Sequence, residues 1–154
     1  MNPLGLDEIT MTLESILNFQ RWGGGEPTAV GEGYSGIYKG RYYSILYTRA
    51  GMFRGNHIHP NMQHTLLLDG RGKYIFLVDG REEEHRLEVG RILDVPAGVP
   101  HIFLPEEDCL TFEWWEGDFI AEEYDFSNYT KEIKKKIKAF NKRVEMLKKA
   151  RESS

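Results

Sequence analysis

G-M-F-R-G-N-H-I-H-P-N-M-Q-H-T-L-L-L-D-G, residues 51–70, sets His57 and His59 one residue apart and follows them with Gln63, His64 and Gly70. Side chains on a β-strand alternate between faces, so His57 and His59 share one face and Ile58 takes the other. By the same period Gln63 and Thr65 form a same-face set on the following strand, with His64 turned away. A second stretch, G-R-I-L-D-V-P-A-G-V-P-H over residues 90–101, has Gly90, Pro96, Gly98 and His101 as its fixed points. His101, on a later strand, closes the cluster from across the molecule. The ligand set for one divalent transition metal is then His57, His59, Gln63 and His101. Imidazole suits Fe, Mn, Zn, Ni and Cu, so the ligand types do not select among them. The set has no anionic member, which leaves the charge of the ion to a bound water or an anionic substrate.

Outward from these stretches the chain reads as short β runs separated by glycine turns. Runs are expected over residues 37–39, 42–49, 65–68, 73–78, 83–87, 92–95, 102–104 and 110–115. Asp69-Gly70 and Asp79-Gly80 are hairpin signals, because a type I′ turn needs the positive φ that Asp and Gly tolerate. Many short strands at regular spacing favour a sandwich or barrel over a βαβ fold. Ahead of them, Ile9, Leu13, Ile16 and Leu17 fall at helical spacing with Asp7 as N-cap, predicting a helix over residues 7–20 that Gly23-Gly24-Gly25 and Pro27 terminate. At the other end Ile133, Ile137, Phe140, Val144 and Leu147 make one apolar stripe on a helix of about five turns. Such a stripe needs a surface to bury it, either its own barrel or a second subunit, and a homodimer is expected.

The chain has 154 residues, one domain's worth, and a single cysteine, Cys109, which excludes an internal disulfide. Residues 131–154 carry ten Lys or Arg and three Glu, whereas residues 106–125 carry nine acids and no base. The basic end reads as a solvated helix face near an acidic barrel, and no recognition motif accompanies it, so no nucleic-acid partner is expected. No apolar run approaches the roughly 18 residues of a membrane span, and the opening residues lack a basic region before an apolar one. A cytoplasmic protein without a membrane partner is the expectation.

The two stretches resemble the signature motifs of the cupin superfamily. Gly51, His57, His59, Gln63 and Gly70 match the first motif, with Gln63 standing where the family has Glu; Gly90, Pro96, Gly98 and His101 match the second, whose closing Asn is replaced by Pro105. A spacer one residue longer would make His64 the third ligand; the six residues to Gly70 and the strand alternation favour Gln63. The resemblance implies a mainly β protein, a double-stranded β-helix (jelly-roll) barrel over about residues 34–116 with the metal in its mouth; the apolar spacing read above adds an N-terminal helix before it and an amphipathic C-terminal helix after it. The organisation expected is residues 1–33 as helix and Gly-rich loop, 34–125 as barrel and 126–154 as basic helix, all within a single domain.

Superfamily membership identifies a fold and a site, not a reaction. The leading expectation is a metal-dependent enzyme acting on a small oxygen-rich or anionic molecule. A second is a metal-independent nucleotide-sugar isomerase or epimerase using His57 and His59 as acid and base. A third is a non-catalytic cupin that binds or senses a small ligand. Arg54 is a candidate to hold a substrate carboxylate or phosphate. Glu113 is a candidate general base if it faces inward, although between Phe112 and Trp114 it reads more readily as an outward acid. Tyr43, Tyr47, Phe103, Trp114 and Trp115 are aromatic candidates for pocket, core or interface.

Overall fold

A computed structural model describes residues 19–22 and 28–153. The strands are β1 (Gln20–Arg21), β2 (Gly31–Tyr38), β3 (Arg41–Thr48), β4 (Arg54–Ile58), β5 (Gln63–Asp69), β6 (Gly72–Val78), β7 (Arg81–Arg86), β8 (Ile92–Val95), β9 (His101–Pro105), β10 (Cys109–Trp115) and β11 (Glu122–Glu123), and the helix α1 is Ser127–Glu152. They form two antiparallel sheets, β1-β2-β3-β10-β5-β8 and β11-β4-β9-β6-β7, stacked as a jelly roll. The helix expected over residues 7–20 lies outside the described residues except at its end. There Phe19 is buried and Gln20 opens β1, paired with Ser35 of β2 instead of closing a helix.

The two Asp-Gly dipeptides behave differently. Asp79 (φ 51°) and Gly80 (φ 76°) supply the two positive φ values that a hairpin between β6 and β7 requires. Asp69-Gly70 is no hairpin, because β5 and β6 belong to different sheets and the turn carries the chain from one to the other. Gly70 (φ 102°) is required there by proximity as well as by φ: a Cβ would stand 2.3 Å from the Asp108 carbonyl oxygen.

A strand absent from the expected runs, β4, carries the first histidine. Its pairing with β9 slips between Gly55 and His57, where Gly55 (φ 80°) and Asn56 (φ 67°) form a bulge. The Asn56 amide caps this irregularity from behind: its oxygen accepts from the Phe126 N–H at 2.7 Å and its nitrogen donates to Asp125 at 3.1 Å. The start of α1 is thereby tied to the backbone that aims His57.

The interior divides into two parts. Leu67, Tyr74, Phe76, Leu87, Val95, Phe103 and Cys109 fill one end of the barrel. Ile75, Ile102 and Phe126 form a second cluster, with Tyr124 and Tyr129 against it, which anchors the first turn of α1 to the β4-β9-β6 sheet. Thr130 is the buried residue of α1; Ile133, Ile137, Phe140 and Val144 are half-buried and Met146 and Leu147 exposed. Lys134 pairs with Asp125 at 3.3 Å, the acid that also accepts from Thr130. No described helix is long and apolar enough to cross a membrane.

Candidate metal centre

His57 is carried by β4, His59 by the residues just past it and His101 by the first position of β9, whose register places His101 opposite His57. The three rings meet inside the barrel, with centroids 4.2 Å (His57–His59), 4.8 Å (His57–His101) and 5.0 Å (His59–His101) apart. One ring nitrogen from each lies within 4.8 Å of the others. Their outer nitrogens are already engaged: His59 Nδ1 is 2.8 Å from the Ile120 carbonyl oxygen and His101 Nδ1 is 3.0 Å from that of Val99. A carbonyl only accepts, so both Nδ1 atoms carry the proton and both Nε2 atoms present a lone pair. Those two Nε2 atoms are buried and, among the described residues, have no hydrogen-bond partner.

Burial disfavours the charged imidazoles. It pushes His57 down to about 3, with His101 and His59 adding to the effect. It pushes His101 down to about 4 against the pull of the Val99 carbonyl, and it lowers His59 as well. All three rings are therefore neutral near pH 7, the state in which imidazole binds a metal. Convergent, buried, unpartnered nitrogens whose opposite N–H groups are tied to carbonyls are what an imidazole-bound ion requires, and the cluster fits a divalent metal.

Gln63 also faces inward from β5. Its amide nitrogen donates to the Thr65 hydroxyl (2.9 Å), the Tyr74 hydroxyl (3.1 Å) and Glu113 (3.4 Å), and the amide lies beside His59. His64 points to the outer face of the same strand, its Nδ1 2.6 Å from Asp94 and its Nε2 2.7 Å from Glu116. Burial opposes the charge of His64, but the hydrogen bonds its ring N–H groups donate to two carboxylates outweigh it and the pKa is raised. A group held more basic in the folded chain stabilises it below the unfolded pKa of about 6.5, and that contribution fades as pH rises through the higher folded value. His64→Gln is expected to cost about 1 kcal/mol below pH 6 and progressively less in alkali. Urea melts of both proteins across that range check it, and a difference that grows with pH contradicts the clamp.

Glu113 faces the interior, a correction to the outward acid its apolar neighbours suggest. It is 6% exposed, opposite Ser44 and Thr65 in the sheet, and hydrogen-bonded to Ser44 (3.3 Å) and Tyr74 (3.1 Å). Burial raises it to about 7, against the opposing effects of Tyr74, Arg54 and Ser44. Arg54 is held from three sides, Nε by the Thr48 hydroxyl (2.8 Å) and Nη2 by the carbonyl oxygens of Tyr47 (3.0 Å) and Glu32 (3.2 Å). Its guanidinium lies 5.6 Å from the Trp22 ring centre. Arg54, Glu113, His57, Gln63 and His101 line one cavity of about 390 Å³.

Of the aromatic candidates only Trp115 lines that cavity; Tyr43, Tyr47 and Trp114 point to the outer face, and Phe103 packs in the core. The cavity wall also includes Trp22, Tyr42, Tyr74 and Phe119. Phe119 belongs to the segment between β10 and β11 that crosses beside the histidines. It packs against Trp115 (4.7 Å), Tyr42 (4.8 Å) and the His59 ring (5.5 Å), and the next residue supplies the Ile120 carbonyl. Nothing local in the sequence marks this segment, since its role depends on contacts some 60 residues away.

No family model and no curated protein matches the chain in sequence. Solved structures do match. The capsular polysaccharide assembling protein CapF from Staphylococcus aureus superposes with a TM-score of 0.57 at 21% identity, over 65% of this chain and 33% of that one. Oxalate decarboxylase from Bacillus subtilis superposes with a TM-score of 0.57 at 17% identity, over 63% of this chain and 28% of that one. The fold is that of the cupins. Each match spans about a third of the neighbour's length. One further structure of the decarboxylase is described through its Mn(II) centers.

Proposed function

We propose that this cupin is a metal-dependent enzyme that acts on a small anionic molecule bound in the histidine-lined cavity. The observation that carries the reading is the pair of buried, partnerless Nε2 atoms of His59 and His101, each set by an Nδ1–carbonyl bond on the far side of its ring. His57, His59 and His101 would hold the ion, with Gln63 as the fourth protein donor. When bound, such an ion polarises a substrate oxygen or activates a water. Arg54 supplies the complementary charge for a carboxylate or phosphate, preorganised by Thr48 and two backbone carbonyls. Trp115 and Phe119 shield the histidines from water, and Glu113 adds a carboxyl group to the same cavity.

Elemental analysis of the untagged protein tests the first half of this reading. About one equivalent of a transition metal per chain is expected, as purified or after incubation with Mn(II), Fe(II) or Zn(II) and dialysis. Failure to retain any of these ions overturns the metal-dependent function. The metal-independent isomerase or epimerase predicts turnover of nucleotide sugars that survives exhaustive chelation. The binding or sensing alternative predicts ligand affinity without product.

A further inference from the structure

The cavity lined by His57 and His101 has few polar groups left to offer a ligand, because most polar side chains of its wall already bond a neighbour. Arg21 pairs with Glu32 at 2.7 Å, the Trp22 indole N–H donates to Ser35 at 2.7 Å, and the Thr28 hydroxyl is held by the Gly31 backbone. Ser44, Gln63, Tyr74 and Glu113 form one network at 3.1–3.4 Å. Arg54 spends Nε on Thr48 and Nη2 on two carbonyls, so its Nη1 has no hydrogen bond among the described residues. With it remain the ring nitrogens of His57 and His101, the Tyr42 hydroxyl and the buried, unpartnered indole N–H of Trp115. The rest of the wall is carbon: Val30, Leu46, Phe53 and Phe119, with the rings of Trp22 and Trp115.

We propose that the ligand of this cavity is a carboxylate with an apolar, ring-sized body, which deepens, and rests on, the reading of the cavity as the substrate site. The unspent groups are chiefly N–H donors and metal-binding nitrogens, and these serve one anionic head. A sugar fits badly: each hydroxyl needs a donor and an acceptor, and against a carbon wall those needs go unmet at a cost for every group. A head without a body fits badly too. The cavity holds about 390 Å³; at the ~30 Å³ a water occupies in the liquid, that is room for about a dozen non-hydrogen atoms. Trp22 gives the body a partner. Its ring lies against Gly33, where a Cβ would come within 2.4 Å of it, and 5.6 Å from the Arg54 guanidinium. Trp22 remains 40% exposed, so a ligand body would cover apolar surface that is now in water.

Lactate, 3-phenyllactate and gluconate share a 2-hydroxycarboxylate head and differ in the body it carries, so their ranking reports the wall and not the head. Calorimetric titration of the full wild-type chain, both loaded with Zn(II) and metal-free, tests the assignment. 3-Phenyllactate is expected to bind roughly 10–100-fold tighter than lactate, the gain from taking one ring out of water, with gluconate no tighter than lactate. Trp22→Ala, at a half-exposed position, is expected to weaken 3-phenyllactate about fivefold and to leave lactate unchanged. Gluconate or lactate binding as tightly as 3-phenyllactate overturns the inference, and so does a Trp22→Ala variant that weakens lactate and 3-phenyllactate equally. The metal reading fails separately. A chain that retains no metal yet ranks the acids in this order keeps the ligand class and loses the metal-dependent function; a chain that holds its metal and fails the ranking loses the ligand class alone.

Discussion

His101→Ala is expected to reduce bound metal from about one equivalent to a small fraction of that, with affinity falling more than 100-fold. Loss of a group that merely orients a ligand costs 10–100-fold in affinity, and removal of the ligand itself costs more. His101 is 1% exposed, and its Nδ1 is pinned to Val99, so no neighbouring imidazole is placed to replace it. His64, the nearest alternative in sequence, lies on the far face between Asp94 and Glu116. His64→Ala is accordingly expected to leave the metal content near wild type. The comparison is made by titrating metal-free protein with Mn(II) or Zn(II) in a calorimeter, after a thermal melt shows that each metal-free variant is folded. Full occupancy in His101→Ala would remove it from the ligand set, and a loss confined to His64→Ala would exchange the roles of the two faces of β5.

The difference between those faces explains what could and could not be read from the chain. His57, His59 and His101 were legible because the relevant physics is local: a period of two on the strand, and glycines where the backbone must turn. The hairpin at Asp79-Gly80 was legible for the same reason. Asp69-Gly70 has nearly the same local chemistry, yet it packs on the 106–109 segment, another crossing between the two sheets, and no dipeptide encodes that. Glu113 was misplaced because Leu110, Phe112 and Trp114 look like the buried half of an alternating strand. The barrel instead spends the interior of β10 on its site and leaves the apolar half outside. The Phe119–Ile120 segment was invisible because its function lies in one backbone carbonyl and one ring, both defined by tertiary contact.

Gly70→Ala is expected to destabilise the fold by roughly 3–5 kcal/mol, the combined size of left-handed strain and overpacking. The added Cβ would lie 2.3 Å from the Asp108 carbonyl oxygen and 2.9 Å from both Cα and Sγ of Cys109. None of these atoms is the free end of a flexible chain. Cys109 is fully buried, and the Arg71 carbonyl beside it receives the N–H groups of Glu106 and Glu107 at 2.8 and 3.0 Å, so the two loops cannot separate without breaking those bonds. Gly98 is the control. It has φ +76° but open space around its Cβ position, so Gly98→Ala should pay only the conformational term, about 1–2 kcal/mol. Both glycines are motif positions, and chemical denaturation of the two variants distinguishes why each is glycine. A Gly70→Ala cost within 1 kcal/mol of the Gly98→Ala cost would mean that the two loops relax freely, and that φ alone selects glycine at the crossing between the sheets.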